Sequence, residues 1–275
     1  MKKTLTALFL GVISLQAVAN TYDPNQSAPG VTPVLPSAAT QPGQVAGGVS
    51  LLLNGGMESN GGVGTSTISD WTLTTVDGSS GTTSSGAWVV YSGTSAPIST
   101  NVIEAPTEGT FGAVSDTGGP TANVMYQDIA IPANGADLSC DVFFLNQFNT
   151  NINTGSLDLD VGPNQHARVD IMDPAAAVDD TGAGVLQNLW ITDDADPTSF
   201  SYFALTANLN AFAGQTVRLR FAEVNNQFFQ NLAVDNCSVI EGTPPAAVPA
   251  LSLWSLLALM LSVLLIFAYR TRQQH

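Results

Sequence analysis

Basic residues are scarce: seven lysines and arginines stand against 22 acidic residues. Lys2, Lys3, Arg270 and Arg272 lie in the terminal segments, while every acid lies between Asp23 and Glu241. A body with three arginines and that many carboxylates repels phosphate backbones and anionic headgroups, which excludes nucleic acid as a partner. Histidine is nearly absent as well. His166 is the only one in the body, so a Ser-His-Asp or Cys-His device has to be built on it. It opens a strand-like run after a Gly-Pro turn, and Asp170, four residues on, lies about 13 Å away along a strand. A surface or edge-strand histidine is the expectation. With Cys140 and Cys237 the only cysteines, a thiolate metal site lacks partners. In an exported chain an even count pairs as one disulfide, which also removes the thiol nucleophile.

Long apolar runs occur only at the two ends. Lys2 and Lys3 precede an apolar run from Leu5 to Leu15 and then Ala17-Val18-Ala19, the small-x-small pattern of a signal-peptidase site. Residues 1–19 therefore read as an export signal cleaved after Ala19, with an uncleaved anchor as the alternative. From Leu251 to Tyr269 there is no charge, and about 20 apolar residues suffice to cross a bilayer. Residues 251–269 read as a transmembrane helix and 270–275 as a basic cytoplasmic tail, which leaves the body outside. Residues 20–48, with five prolines and no apolar period, read as a disordered linker. A shorter break, 242–250, separates the body from the tail.

The body, 49–241, has the size of one domain, and its hydrophobic period is two. In LSCDVFFLN, Cys140, Val142 and Phe144 alternate with Asp141, Phe143 and Leu145; in TVRLRFAEV, Val217, Leu219 and Phe221 alternate with Arg218 and Arg220. DWTLTTV, AWVVYSG, NVMYQDIAI, ARVDIMD, LQNLWI and SFSYFAL behave alike, each bounded by Gly, Asn, Asp, Pro or Ser. No stretch offers an amphipathic helix. About ten strands with turn punctuation predict an all-β fold, an antiparallel β-sandwich or jelly roll. At least two of Trp71, Trp88 and Trp190 are expected in its core.

Paired carboxylates are plentiful: Asp158 and Asp160, Asp179 and Asp180, Asp193, Asp194 and Asp196. A glycosidase needs two acids facing across a cleft, one in an apolar pocket. These lie instead in Gly/Pro/Ala-rich loops where water keeps them ionised, and DLDVGPN lacks the glycine and distal Glu of an EF-hand. GGVGTST lacks the lysine of a phosphate loop. A binding surface remains. Sugar recognition sets aromatic faces against C–H patches and amides against hydroxyls. Phe148, Asn149 and Asn151 in one loop, and Gln227, Phe228, Phe229, Gln230 and Asn231 in another, have that composition. The competing reading puts some of these phenylalanines in the core.

The opening LLLNGGMES, the closing NLAVDNCSVIE and AFAGQTVRLRF between them resemble the galactose-binding-like jelly rolls of carbohydrate-binding modules and bacterial surface proteins. That resemblance implies a structural calcium between the domain's two ends, its ligands here Glu58 and Asp235. The tail VPALSLW resembles a bacterial sorting signal of the IPTL-CTERM type. Pro249, Leu251, Ser252 and Trp254 match it, while Val248, Ala250 and Ser255 depart from Ile, Thr and Gly. This second resemblance implies a Gram-negative envelope protein, inserted in the inner membrane with its body in the periplasm and cut by a processing protease near Pro249. Its destination is then the cell surface or the medium; a permanent anchor is the alternative. The chain as a whole reads as a non-enzymatic surface module binding carbohydrate or extracellular matrix polysaccharide. A structural surface or biofilm-matrix protein without a small ligand stands as the alternative, and a glycoside hydrolase as a weaker one.

Overall fold

A computed structural model of the chain describes residues 49–242, together with Met260, Leu261 and Arg272. Contacts divide the chain into two units, Met1–Gly242 and Thr243–His275. Of the second unit, Met260, Leu261 and Arg272 are described, each in helical conformation. The signal-cleavage residues Ala17 and Ala19, the linkers, and Val248, Pro249, Leu251, Ser252 and Trp254 lie outside the described residues. Among the described residues no helix is long and apolar enough to cross a membrane.

Residues 49–242 form an all-β sandwich. Ten strands are present: β1 Thr72–Thr75, β2 Gly86–Tyr91, β3 Gly112–Thr117, β4 Thr121–Ala130, β5 Ala136–Asn146, β6 Gln165–Met172, β7 Val185–Ile191, β8 Ser199–Asn208, β9 Thr216–Asn225 and β10 Gln230–Glu241. They pair antiparallel into two five-stranded sheets ordered β1-β4-β9-β6-β7 and β2-β3-β10-β5-β8. The period-two reading thus finds eight of the ten strands; it misses β3, whose GAVSDT is buried throughout and shows no alternation, and β10, which entered only through the resemblance of NLAVDNCSVIE. Cys140, Val142 and Phe144 of β5 and Val217, Leu219 and Phe221 of β9 share one core between the sheets. Trp71 and Trp88 lie in that core, and the partly buried Trp190 packs against it.

The domain's ends meet. Leu51 N–H bonds the Val239 carbonyl at 2.7 Å, and Cys237 N–H bonds the Gly55 carbonyl at 3.0 Å. Cys140 and Cys237 form a disulfide between β5 and β10, beside a bulge where the register slips between Asp235 and Ser238.

Loops cover both outer faces of the sandwich. Ala96 and Ile103, from a strap spanning 92–111, pack on Val89, Tyr91, Val114, Phe143, Leu145 and Ala233. On the other sheet Leu157 and Leu159 cover Ala122, Val124, Ala222 and Val224. This coverage corrects the placement of several polar residues. Arg220 lies wholly buried, bonding Asp170 and the carbonyls of Val178 and Asp180. Arg168 shares Asp170, and Arg218 pairs with Asp128. His166, expected at a surface or edge, is fully buried on the interior strand β6, its Nδ1 3.0 Å from Asn164 Oδ1. Burial, with the Arg168 charge second, pushes its pKa down to about 4, so the ring is neutral at physiological pH.

Candidate functional site

The loop end formed by β5–β6, β7–β8 and β9–β10 gathers aromatic and amide groups at an open surface. The β5–β6 loop leaves the sheet at Asn146, and Gln147 N–H bonds the Phe229 carbonyl at 3.0 Å. The two amide- and phenylalanine-rich loops of the sequence therefore stand side by side. Phe228 and Phe229 meet edge to face with centroids 5.5 Å apart. Phe148, Phe228 and Phe229 are each half-buried, and Asn149 is exposed. Beside them lies an open cavity of about 460 Å³ lined by Thr150, Asn151, Ile152, Asn153, Asp193 and Asp194. Sequence reasoning separated Asp193 and Asp194 from the aromatic loop; only the fold of the β7–β8 loop unites them.

Three other residues of the expected set point elsewhere. Asn151, Gln230 and Asn231 are fully buried. Gln230 Nε2 donates to the His166 carbonyl at 3.1 Å, and Asn231 Nδ2 to Asp116 Oδ1 at 3.0 Å. Their amides satisfy buried amide, backbone and carboxylate groups, as interior polar atoms must; Asn151 borders the cavity with its amide already bonded to Asn146 and the carbonyls of Asp196 and Pro197.

One acid escaped notice because it sits at an inward position of a strand. Glu223 of β9 is fully buried between the sheets, accepting from Ser115 Oγ at 2.5 Å and Gln230 Nε2 at 3.3 Å. Burial raises its pKa well above the carboxylate range, so it is held as a neutral acid. It has the electrostatics of a glycosidase acid without the access: no substrate oxygen reaches a side chain enclosed on every side.

Glu58 and Asp235 both grip the strap. Glu58 Oε1 accepts the N–H groups of Thr110 (2.7 Å) and Phe111 (2.8 Å). Its carboxylate lies against Gly109, at φ +60°, where a side chain would collide with it. Asp235 Oδ2 accepts Thr107 N–H (2.7 Å), Thr107 Oγ1 (3.3 Å) and Glu108 N–H (2.8 Å), and its Oδ1 accepts Asn236 N–H (2.7 Å). Burial lifts its pKa to about 6, against the pull of these donors. The Thr107 hydroxyl lies closer to Asp141 Oδ2, at 2.7 Å, so Oδ2 of Asp235 is held by the two backbone N–H groups, and among the described residues no group of three His, Cys, Asp or Glu side chains converges to hold a metal. Backbone amides thus hold one oxygen of each carboxylate, Glu58 Oε1 and Asp235 Oδ2.

No family model and no curated protein matches this chain. Solved structures do. The carbohydrate-binding module TmCBM61, in complex with β-1,4-galactotriose, is 8% identical at TM-score 0.40, over 70% of this chain and 99% of that one. The enzymatically active domain of tailspike protein 4 from bacteriophage CBA120 is 14% identical at TM-score 0.36, over 69% of this chain and 21% of that one. The K1 cleaved adhesin domain of Lys-gingipain from Porphyromonas gingivalis W83 is 12% identical at TM-score 0.38, over 64% and 93%. Likeness at these scores leaves the site to be argued from its own residues.

Proposed function

We propose that residues 49–241 are a non-enzymatic module of an exported surface protein, and that its loop end binds an uncharged polysaccharide. The observation that carries this reading is the grouping of half-buried Phe148, Phe228 and Phe229 at the loop end whose open cavity carries the exposed Asn153, Asp193 and Asp194. Rings supply faces for sugar C–H patches, and amides and carboxylates supply partners for hydroxyls. Charge narrows the ligand. Every arginine of the body, Arg168 on β6 and Arg218 and Arg220 on β9, is already in an ion pair with Asp170 or Asp128, so an acidic glycan meets Asp193 and Asp194 at the loop end instead. Export and sorting rest on the terminal sequences alone, and the structural reading without a small ligand is the outcome if binding fails.

Affinity electrophoresis of the full chain in mild detergent tests this, in gels cast with β-1,4-galactan, xylan or, as the acidic control, alginate. Retardation in a neutral gel, absent in alginate and lost in a Phe148→Ala/Phe228→Ala variant, supports the reading. Equal migration in all gels overturns it.

A further inference from the structure

Three buried amides join the three loops of this site. Gln165 opens β6 in one sheet, Asn146 closes β5 in the other, and Asn151 lies in the loop beyond it. None is more than 2% exposed. Gln165 Oε1 accepts the N–H groups of Gln227 (3.2 Å) and Phe228 (3.3 Å). Its Nε2 donates to the Phe228 carbonyl (2.9 Å) and to Asn146 Oδ1 (3.0 Å). Asn146 Oδ1 also accepts Phe148 N–H at 2.8 Å, and its Nδ2 donates to the Thr150 carbonyl and to Asn151 Oδ1, both at 2.9 Å. Asn151 Nδ2 closes the chain on the carbonyls of Asp196 (3.2 Å) and Pro197 (3.1 Å). An unbroken line of donors and acceptors thus runs from 227–228 through 148–150 to 196–197.

The line is selective in what it holds. It takes the backbone N–H of Phe148 and both the N–H and the carbonyl of Phe228, the two rings offered to a ligand. It ends on the loop that carries Asp193 and Asp194. Each link is satisfied on both its oxygen and its nitrogen, whereas the neighbouring Gln230 and Asn225 each keep one unpartnered buried atom. In a buried network every amide that donates also accepts, so displacement of one member is felt by the next. A ligand meeting loops already held in register loses less freedom on binding.

We propose that Gln165, Asn146 and Asn151 are positioning residues: a cross-sheet amide relay that fixes the spacing of the Phe148 loop, the Phe228 loop and the cavity wall. This rests on the loop-end reading given above, and it makes a separate claim about how that surface is ordered.

The test uses the full chain carrying Gln165→Met, a substitution of similar shape that removes the first link. Two measurements are made: binding in the neutral gel that retards the native protein, and amide hydrogen exchange. The relay predicts binding weakened about tenfold, equivalent to about 1.4 kcal/mol. It predicts a loss smaller than the sum of the two when the substitution is combined with Phe228→Ala alone. It also predicts faster exchange at 148–151 and 193–198, loops that Gln165 does not itself bond through its side chain, with β4 and β9 unchanged. Faster exchange confined to Gln227 and Phe228, or a binding loss that adds in full to that of Phe228→Ala, overturns it. If the native protein binds none of the polymers, the loop-end reading falls by itself. Exchange coupled across the three loops then supports the relay as an ordering device, and uncoupled exchange overturns it.

Discussion

Replacing Glu223 by Gln removes a proton from the folding equilibrium while keeping the side chain's shape. Glu223 is fully enclosed and its pKa is raised by burial, with Ser115 and Gln230 offsetting only part of the effect. A carboxyl whose folded pKa lies above its unfolded one contributes stability that is fully present below the unfolded value, about 4.3. That stability is lost as pH rises through the folded pKa. While the native state keeps the proton, each pH unit costs about 1.4 kcal/mol. Asp235, raised to about 6, has finished contributing by pH 7, and His166, lowered to about 4, acts on the acid side. From pH 7 to 8.5 Glu223 is therefore the shifted carboxyl left to act, and the native protein should lose stability across that window. Urea unfolding followed by tryptophan fluorescence measures this directly. The Gln variant should be flat over that window and more stable than the native protein at its upper end. Equal slopes for the two proteins would refute the assignment of a buried neutral acid.

Other consequences follow from the same geometry. Reduction opens a covalent loop closed between residues 97 apart in sequence, worth about 4–5 kcal/mol in the chain-entropy model. At roughly 2–4 °C per kcal/mol, the reduced protein should melt about 10–15 °C lower by scanning calorimetry; a shift under a few degrees contradicts this. Because two backbone N–H groups already hold Asp235 Oδ2, millimolar calcium should leave the melting temperature of chelator-treated protein unchanged, and a clear rise would place the ion at this pair. His166, with its pKa lowered by burial, contributes stability present above pH 6.5 and lost as pH falls toward about 4. From pH 6.5 to 5 that loss is about 2 kcal/mol, so His166→Gln should gain that much relative to native protein over the same interval. Parallel curves would contradict it.

Much of the fold was legible because most strands here are punctuated and periodic. Cys140, Val142 and Phe144 face the same core as Val217, Leu219 and Phe221, as alternation predicts. Alternation also predicts solvent for the other face, and there it misleads. Arg168, Arg220 and His166 are interior because loops from 153–163 and 173–184 lie over that sheet, and no local pattern says which loop covers which face. β3 stayed hidden for a related reason: buried on both sides, GAVSDT needs no polar alternation. At the loop end, composition pointed to two loops that the fold sets side by side, joined from Gln147 N–H to the Phe229 carbonyl. It could not separate the amides that face outward, as Asn149 does, from those that turn inward, as Asn151, Gln230 and Asn231 do. That division depends on cross-sheet partners such as Gln165, which lies beside Asn146 only once the sandwich closes.

The most direct test of the loop-end surface is a titration of the ¹⁵N-labelled protein with a neutral oligosaccharide cut from whichever polymer retards it, followed by amide chemical shifts. The account predicts that the shifts concentrate at 147–153, 193–197 and 226–229 and leave the strap at 92–111 in place. Shifts centred on the strap, on β7, or nowhere at all would contradict it.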